Sequence, residues 1–305
     1  MDPWRSAIAT SDATNIWIRG HAVTSLMQGA TFTDTIVLLH LGRLPSPGER
    51  RLLDAVLIGV ADHGAGAPSC AAARLAASGN RSSISSAIAA GILAIGDDHG
   101  GAGSNCMELI AAGLALATRD DVRPAVAAQR TVEAAVRERR RLPGLGHRVH
   151  TTDPRVKVLF DMARAEGIAG DGILFMEALE AEARTRIKPL PMNIDGALAA
   201  ILHDMGFSPP AGRFLFIVGR VAGLTAEVAE EYAREKPMRI KFQVEYDGPR
   251  PISGQTERTN AESEPRERRG VGVPAPRAGS GRPERESKGA SERAGGAGGA
   301  KRPGK

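Results

Sequence analysis

Residues 213–232 read RFLFIVGRVAGLTAEVAEEY, and this stretch indicates the fold class more clearly than any other. Its apolar side chains recur mostly every three or four residues, a spacing that places them on one face of a helix. They are Phe214, Ile217, Val218, Val221, Leu224 or Thr225, and Val228. The stretch therefore predicts a long helix packed on a core, with Arg220 interrupting its apolar face.

The same spacing continues through most of the chain. It predicts helices over Phe32–Leu41, Pro47–Val60 and Asp153–Arg164, and another helix after Asp195. Only Asn15–Arg19 (NIWIR) reads as a strand, and it is short. Because only 4% of the 305 residues are aromatic, alanine and aliphatic side chains must form the core, which favours closely packed helices. We predict an all-α fold.

The composition also excludes several functional classes. The net charge of +5 is small, and a dedicated nucleic-acid binder would carry a basic stripe in its folded part. The apolar run Ile84–Ile95 is too short to span a bilayer, and the first residues show no secretory signal. Cys70 and Cys106 form no CxxC pair, which suits a reducing compartment. We expect a cytoplasmic protein without nucleic-acid or membrane partners.

The composition changes near Ser253. From there the chain is rich in Gly, Pro, Ser, Arg and Glu and holds almost no large apolar side chains. Such a segment cannot bury enough surface to offset its chain entropy. We therefore predict a folded region over residues 1–250 and a disordered tail over 251–305. The alternative for this tail is a weak electrostatic contact with an anionic partner such as a nucleic acid.

Three histidines stand beside glycines between predicted helices: His63, His99 and His147. Glycine lets the backbone come close to a ligand, and histidine titrates near neutral pH. These three are the candidates for acid–base chemistry. For each of them a capping or core position is the structural alternative.

Asp195 and two arginines complete the candidate set. Asp195 lies at the start of a predicted helix, either as its N-cap or as a base held there. Arg155 and Arg220 could each bind a carboxylate with two hydrogen bonds. The histidines lack the spacing of a zinc site, and there is no phosphate-binding P-loop. The set predicts metal-independent chemistry on a small polycarboxylate.

At this point the chain resembles the citrate synthase family. The matching motifs occur in the family's order and cover nearly all of residues 17–249. The matching segments follow, each with the family's own pattern in parentheses. They are Arg19–His21 with Gly42–Ser46 (RGY…GxLPT), Asp62-His63 (ADH), His99–Ala102 (HGGA), Gly144–Arg155 (GFGHRVYxxxDPR), Asn193–Asp195 (PNVD) and Gly219–Gly223 (AR-T-x-G).

The resemblance implies a two-lobed helical homodimer. The large lobe would comprise about 1–100 and 192–250, and the small lobe about 101–191. A coenzyme A thioester would be the substrate, with no permanently bound cofactor. Gly144, Gly146 and Arg148 would contact its coenzyme A part.

The resemblance also implies a role for each candidate residue. Asp195 would be the base at the acetyl methyl group, His99 would hydrogen-bond the enolate, and His147 would exchange a proton with the C4 acid. The carboxylates of the C4 or C6 acid would be bound by His63, Arg155 and Arg220. The family's cross-subunit arginine is replaced, and Lys241 is the nearest cation by spacing, with Arg239 as the other candidate.

Other departures from the family pattern indicate one branch of it. Gly64 follows the ADH motif where synthases carry Glu, His150 stands for Tyr, and residues 235–239 read EKPMR. The chain is also shorter at its N-terminus than full-length synthases. These features resemble the citryl-CoA lyase branch, which cleaves citryl-CoA to acetyl-CoA and oxaloacetate. One alternative is a citrate or 2-methylcitrate synthase. The other is a regulatory paralogue without turnover, which the replaced arginine and Glu227, in place of the family's His, motivate.

Overall fold

The computed structural model describes residues 3–146 and 152–249. The chain divides into two units, Met1–Val244 and Glu245–Lys305. All helices and strands of the described residues lie in the first unit, and of the second unit only 245–249 are described. The candidates His147 and Arg148, His150 and the predicted tail 251–305 lie outside the described residues.

The described part contains three short strands followed by eleven helices. In chain order they are β1 (Ala9–Ser11), β2 (Ile16–Ile18), β3 (His21–Ala22), α1 (Val23–Gly29), α2 (Phe32–Leu41), α3 (Pro47–Ala61), α4 (Pro68–Gly79), α5 (Ile84–Leu93), α6 (Ala102–Arg119), α7 (Pro124–Glu138), α8 (Pro154–Ala165), α9 (Asp171–Arg186), α10 (Ile194–Asp204) and α11 (Ala211–Arg234). The prediction of an all-α fold is confirmed.

Local signals explain where the predicted helices begin. Thr31 with Asp34 forms a capping box at the start of α2, and Ser46 with Glu49 forms one at the start of α3. Pro154 is the first residue of α8, as predicted, and Asp153 caps that helix through the backbone N–H of Arg155. The first turns therefore have partners for backbone donors that a helix itself cannot satisfy.

The expectation of a single strand was wrong. β2 lies within Asn15–Arg19 as predicted, but it pairs antiparallel with β1 and β3. The short segments β1 and β3 have no alternating apolar pattern. They are extended because β2 supplies their hydrogen-bond partners, which is information that their own residues do not carry.

Helix α10 lies at the centre of the protein and positions the candidate site. Every residue from Gly196 to Leu202 is buried, so this helix is covered on all sides. It packs against α6, α8, α9 and α11. Residues of both expected lobes contribute to this one core, and the division into lobes stays a prediction.

A smaller apolar cluster joins α4, α5 and α11. Its buried members are Ala67, Cys70, Ala73, Ala77, Ala87, Leu224 and Val228. Within residues 3–146 and 152–249, each helix is too short or too polar to cross a bilayer.

Candidate functional site

One cavity of about 1060 Å³ brings together most of the predicted site residues. Those that line it are His63, His99, Gly144, Gly146, Arg155, Asp195 and Arg220. They come from the ends of α3, α8 and α10, from the α5–α6 and α7–α8 connections and from the middle of α11. The fold therefore gathers residues that lie up to 157 positions apart in the sequence, from His63 to Arg220.

Asp195 is the most perturbed carboxyl group in the cavity. It is in the first turn of α10, and its Oδ1 is buried without a hydrogen-bond partner among the described residues. Burial raises the pKa of Asp195 to about 6, although the charges of Arg155 and Arg220 oppose this shift. A carboxyl group with a pKa near neutrality can both accept and donate a proton under ordinary conditions.

The structure also shows which residue caps α10. Asn193 is the N-cap, and its Oδ1 accepts hydrogen bonds from the backbone N–H groups of Asp195 (3.0 Å) and Gly196 (3.1 Å). The side chain of Asp195 is therefore not used as a cap. The reading of Asp195 as a plain N-cap is wrong, because a neighbouring side chain already satisfies those donors.

His99 is oriented from the start of α4. Its Nε2 accepts a hydrogen bond from the backbone N–H of Ser69 (3.2 Å) and lies 2.9 Å from the Ser69 hydroxyl. A backbone N–H can only donate, so this contact favours the neutral tautomer that carries its proton on Nδ1. In that form the imidazole is a hydrogen-bond donor at Nδ1.

The ring of Phe216 packs edge-on against His99, with 6.0 Å between the ring centroids. Gly100 directly follows His99 and has a φ of +75°, and a Cβ there would collide with the Phe216 ring. Glycine is therefore required at this position by both the backbone conformation and the aromatic ring.

Arg220 is a fully buried cation. Only 2% of its surface is exposed, its Nε donates to the carbonyl of Val60 (2.9 Å), and its Nη1 donates to the hydroxyl of Ser69 (3.1 Å). Its guanidinium lies 4.9 Å from the centre of the Phe216 ring. Among the described residues no carboxylate is within ion-pair distance of it. A buried guanidinium without a counter-ion is costly unless an anion binds there.

Arg155, in contrast, already has a carboxylate partner. Its Nε and Nη2 donate to the two carboxylate oxygens of buried Asp153 (2.9 and 2.7 Å), and its Nη1 donates to the carbonyl of Gly59 (2.9 Å). Asp153 also accepts from the backbone N–H of Ile194 (3.1 Å), which ties the start of α8 to the start of α10. Arg155 therefore supports the cavity wall as well as lining it.

His63 is exposed at the cavity and follows Asp62, the C-cap of α3. Asp62, Cys70 and Glu227 bring three possible metal-ligand atoms within 4.8 Å of one another. Burial raises the pKa of the Cys70 thiol, and Glu227 is already ion-paired with Arg74. Both features disfavour metal binding, since a thiol must lose its proton to bind a metal. The expectation of metal-independent chemistry stays a prediction.

Lys241 lies outside the cavity of its own chain and is exposed to solvent. Arg239, the other candidate for the missing arginine, donates from Nε to Glu231 (2.9 Å) and forms an ion pair with Glu235 (3.0 Å). The described residues that line the cavity include neither Lys241 nor Arg239.

Sequence reasoning missed the basic rim of the cavity. Arg140, Arg141 and Lys188 line it together with apolar side chains, including Leu142, Leu145, Ile187 and Leu190. Asp98 forms a 3.6 Å ion pair with the exposed Arg141. The run RERRR over residues 137–141 was a visible signal, but only the fold shows that it ends at the cavity. A cationic rim beside an apolar wall suits a ligand with an anionic part and an apolar arm.

Comparison with known proteins identifies the family of this chain. Residues 45–241 match the family model of the citrate synthase C-terminal domain. The solved citryl-CoA lyase of Hydrogenobacter thermophilus is 36% identical with a TM-score of 0.75, and the alignment covers 83% of this chain and 98% of that one. The citrate synthase of Pyrobaculum aerophilum is 28% identical with a TM-score of 0.57, covering 72% and 54% of the two chains.

Among curated relatives, citrate synthase 2 of Bacillus subtilis is 29% identical over 212 residues, which are 68% of this chain and 54% of that protein. The chain thus spans about half the length of that synthase, whereas it spans nearly all of the solved lyase. The family match over residues 45–241 and the likeness to the lyase lead to one conclusion: this chain belongs to the citrate synthase family.

Proposed function

We propose that the protein is a citryl-CoA lyase, which cleaves citryl-CoA to acetyl-CoA and oxaloacetate. The observation that carries this proposal is the shared cavity, where the unpartnered carboxyl of Asp195, the oriented imidazole of His99 and the buried cation of Arg220 meet. The likeness to a citryl-CoA lyase at 36% identity, against 28% for the solved synthase of Pyrobaculum aerophilum, favours cleavage over synthesis.

The chemistry can be written with the groups of this chain. His147, assigned by the family resemblance, removes the hydroxyl proton of citryl-CoA. The C–C bond breaks, its electron pair passes into the thioester as an enolate, and the alkoxide becomes the keto group of oxaloacetate. His99 donates a hydrogen bond from Nδ1 to the enolate oxygen. Asp195 in its protonated form then gives its proton to carbon and completes the acetyl methyl group.

The remaining contacts divide the substrate into two parts. We propose that Arg220, with His63 and Arg155, binds the carboxylates of the C6 substrate and C4 product. The basic rim of Arg140, Arg141 and Lys188 would bind the phosphates of coenzyme A. The apolar wall and Gly144 and Gly146 would hold its pantetheine arm, with Arg148 as a further contact. Coenzyme A thus enters as part of the substrate.

We also propose a homodimer. The family resemblance implies this assembly, and Leu93 at the end of α5, which is 85% exposed, is a candidate for the contact with a second copy. Because Lys241 lies outside its own cavity, it would reach a substrate carboxylate only from the partner subunit. A lysine there would bind without the two-pronged geometry of an arginine.

The second candidate function is synthesis of citrate or 2-methylcitrate, which the curated relatives favour. The 2-methylcitrate synthase 2 of Corynebacterium glutamicum is 32% identical over 67% of this chain and 51% of that protein. A synthase hydrolyses the citryl thioester after condensation and a lyase does not. The two activities therefore differ in the fate of one thioester bond.

Assays in both directions test the proposal. We expect citryl-CoA to yield oxaloacetate, detected by its reduction with NADH and malate dehydrogenase, without net formation of free citrate. Acetyl-CoA with oxaloacetate should release little free thiol, measured with a thiol reagent. Rapid release of free coenzyme A together with citrate would contradict the lyase and support the synthase.

The pKa of Asp195 predicts how turnover depends on pH. Cleavage uses the protonated carboxyl, so its kcat/KM should fall about tenfold per pH unit above pH about 6. Condensation to citryl-CoA is the reverse of the same step and exchanges no net proton with the solvent, so its kcat/KM should fall over the same range. Initial rates with citryl-CoA, and with acetyl-CoA plus oxaloacetate, would measure this limb in both directions. A kcat/KM for cleavage that stays constant above pH about 6 would contradict the role of Asp195.

A further inference from the structure

Asn193 is the point where two walls of the cavity are joined. Residues Gly144 to Gly146, here called the Gly144–Gly146 loop, form one wall, and the start of α10 with Asp195 forms the other. The amide Nδ2 of Asn193 donates to the carbonyl of Gly146 (2.8 Å). Its backbone N–H donates to the carbonyl of Gly144 (3.0 Å). Its Oδ1 meanwhile caps α10 at Asp195 and Gly196.

The contact between the two walls is close as well as hydrogen-bonded. Gly144 has a φ of +82°, and a Cβ there would lie 2.8 Å from the Cα of Gly196. The backbone N–H of Gly146 donates to the carbonyl of Pro191 (2.7 Å). The loop therefore lies directly against the chain that leads into Asp195, and small shifts of one would move the other.

The chemistry of asparagine explains why it suits this place. A helix N-cap needs an acceptor, and Asp, Ser and Asn serve about equally well. Only the amide of asparagine adds a donor at the reach needed for the Gly146 carbonyl. The sequence predicts a cap near this position, but it does not show a second hydrogen bond to a residue 47 positions earlier.

We propose that Asn193 is a positioning residue that fixes the Gly144–Gly146 loop relative to Asp195, and so aligns the bound thioester with the group that protonates its carbon. This inference rests on the proposed function, because the loop is assigned there to the pantetheine arm. Asn193 acts through Asp195 and the loop and needs no contact with the reacting atoms.

The substitution Asn193→Ser separates the two duties of the side chain. Serine keeps the cap, but its short hydroxyl does not reach the Gly146 carbonyl. We expect kcat/KM for the acyl-CoA substrate to fall at least tenfold, while the Kd of a C4 dicarboxylate, held by Arg220, changes less than twofold. Thermal unfolding should remain close to that of the parent. The matched control is Asn80→Ser, at the distant end of α4, which should leave kcat/KM unchanged.

The variant Asn193→Asp adds a second comparison. It also keeps the cap, but it places a carboxylate against the Gly146 carbonyl and near Asp195. We expect a larger loss of activity than with serine, and a displacement of the Asp195 pH limb to higher pH. The displaced pH limb follows from the new charge beside Asp195. The ratio between the thioester and dicarboxylate effects separates the two roles, because a merely structural role would leave this ratio unchanged.

Hydrogen–deuterium exchange tests the inference without any activity. In Asn193→Ser the amides of the Gly144–Gly146 loop should exchange at least fivefold faster, while those of Asp195 and Gly196 keep their protection. Unchanged exchange in the loop, or parental kcat/KM with an active parent enzyme, would overturn the inference. If the parent turns over no acyl-CoA substrate, the proposed function fails, and the exchange result still decides whether Asn193 holds the loop.

Discussion

Asp195→Asn is expected to lower turnover at least about a hundredfold and to stabilise the fold at the same time. Loss of a proton donor and acceptor at carbon lowers kcat by roughly 10²- to 10⁴-fold. Burial raises the pKa of Asp195 from 3.8 to about 6, so holding this group ionised destabilises the folded state. At about 1.4 kcal/mol per pKa unit, the neutral amide should increase the free energy of unfolding by up to about 3 kcal/mol.

The sign of the pH effect is fixed by the direction of the shift. Between pH about 4 and about 6 the folded state binds more protons at Asp195 than the unfolded state. The stability of the parent therefore falls as the pH rises through this window. The destabilisation by the ionised Asp195 carboxylate is complete above pH about 6. The increase in the free energy of unfolding caused by Asp195→Asn should be largest above pH about 6 and vanish near pH about 4.

Urea unfolding at several pH values, together with activity assays, checks this prediction. The matched control is Asp161→Asn on the exposed face of α8, where the carboxylate pairs with Lys157 and Arg164 at the surface. That change should alter neither activity nor stability appreciably. If Asp195→Asn retained parental turnover, Asp195 would not be the group that protonates carbon. If the parent itself showed no turnover, the regulatory paralogue would become the better description.

Arg220→Met is expected to remove binding of the C4 and C6 carboxylates. The guanidinium is buried, is held by Val60 and Ser69, and has no carboxylate partner among the described residues. Losing one member of a buried hydrogen-bonded charge pair costs about 3 kcal/mol or more, which corresponds to a hundredfold weaker binding. Calorimetry with oxaloacetate and with citrate would measure this loss directly.

Two further variants make the result specific. Arg220→Lys keeps the charge without the planar donor set, so we expect an intermediate loss of affinity. Arg234→Met removes an exposed arginine from the same helix and should leave binding unchanged. Asp195→Asn should bind the dicarboxylate as the parent does. Equal affinity in Arg220→Met and the parent, with the fold intact by circular dichroism, would exclude Arg220 from carboxylate binding.

Five of the eleven helices in the described residues were predicted, and the signals that predict them are local. The capping boxes at Thr31 and Ser46 and the first-turn proline Pro154 act within one helical turn. The boundaries of α2 matched the prediction, whereas α11 extends from Ala211 to Arg234, slightly beyond the predicted stretch. End positions depend on what packs against them as well as on local preference.

The candidate site was predictable only in its residue types. Asp195, His99 and Arg220 stand out in the sequence, but nothing local shows that Asp195 lacks a partner or that Arg220 has no counter-ion. Likewise, only the tertiary structure shows that Asn193 caps α10 and that Arg141 lies on the basic rim of the cavity. These properties depend on distances between segments that are far apart in the chain.

The sequence alone determined the helical class of the protein and the set of chemical groups it can use, since periodicity and motif order are properties of the chain itself. Tertiary structure decided the environment of those groups: the cavity that gathers them, the tautomer that Ser69 favours at His99, and the raised pKa of Asp195. The physical reason is that desolvation and directed hydrogen bonds arise between residues brought together by folding, and they set the reactivity of each side chain.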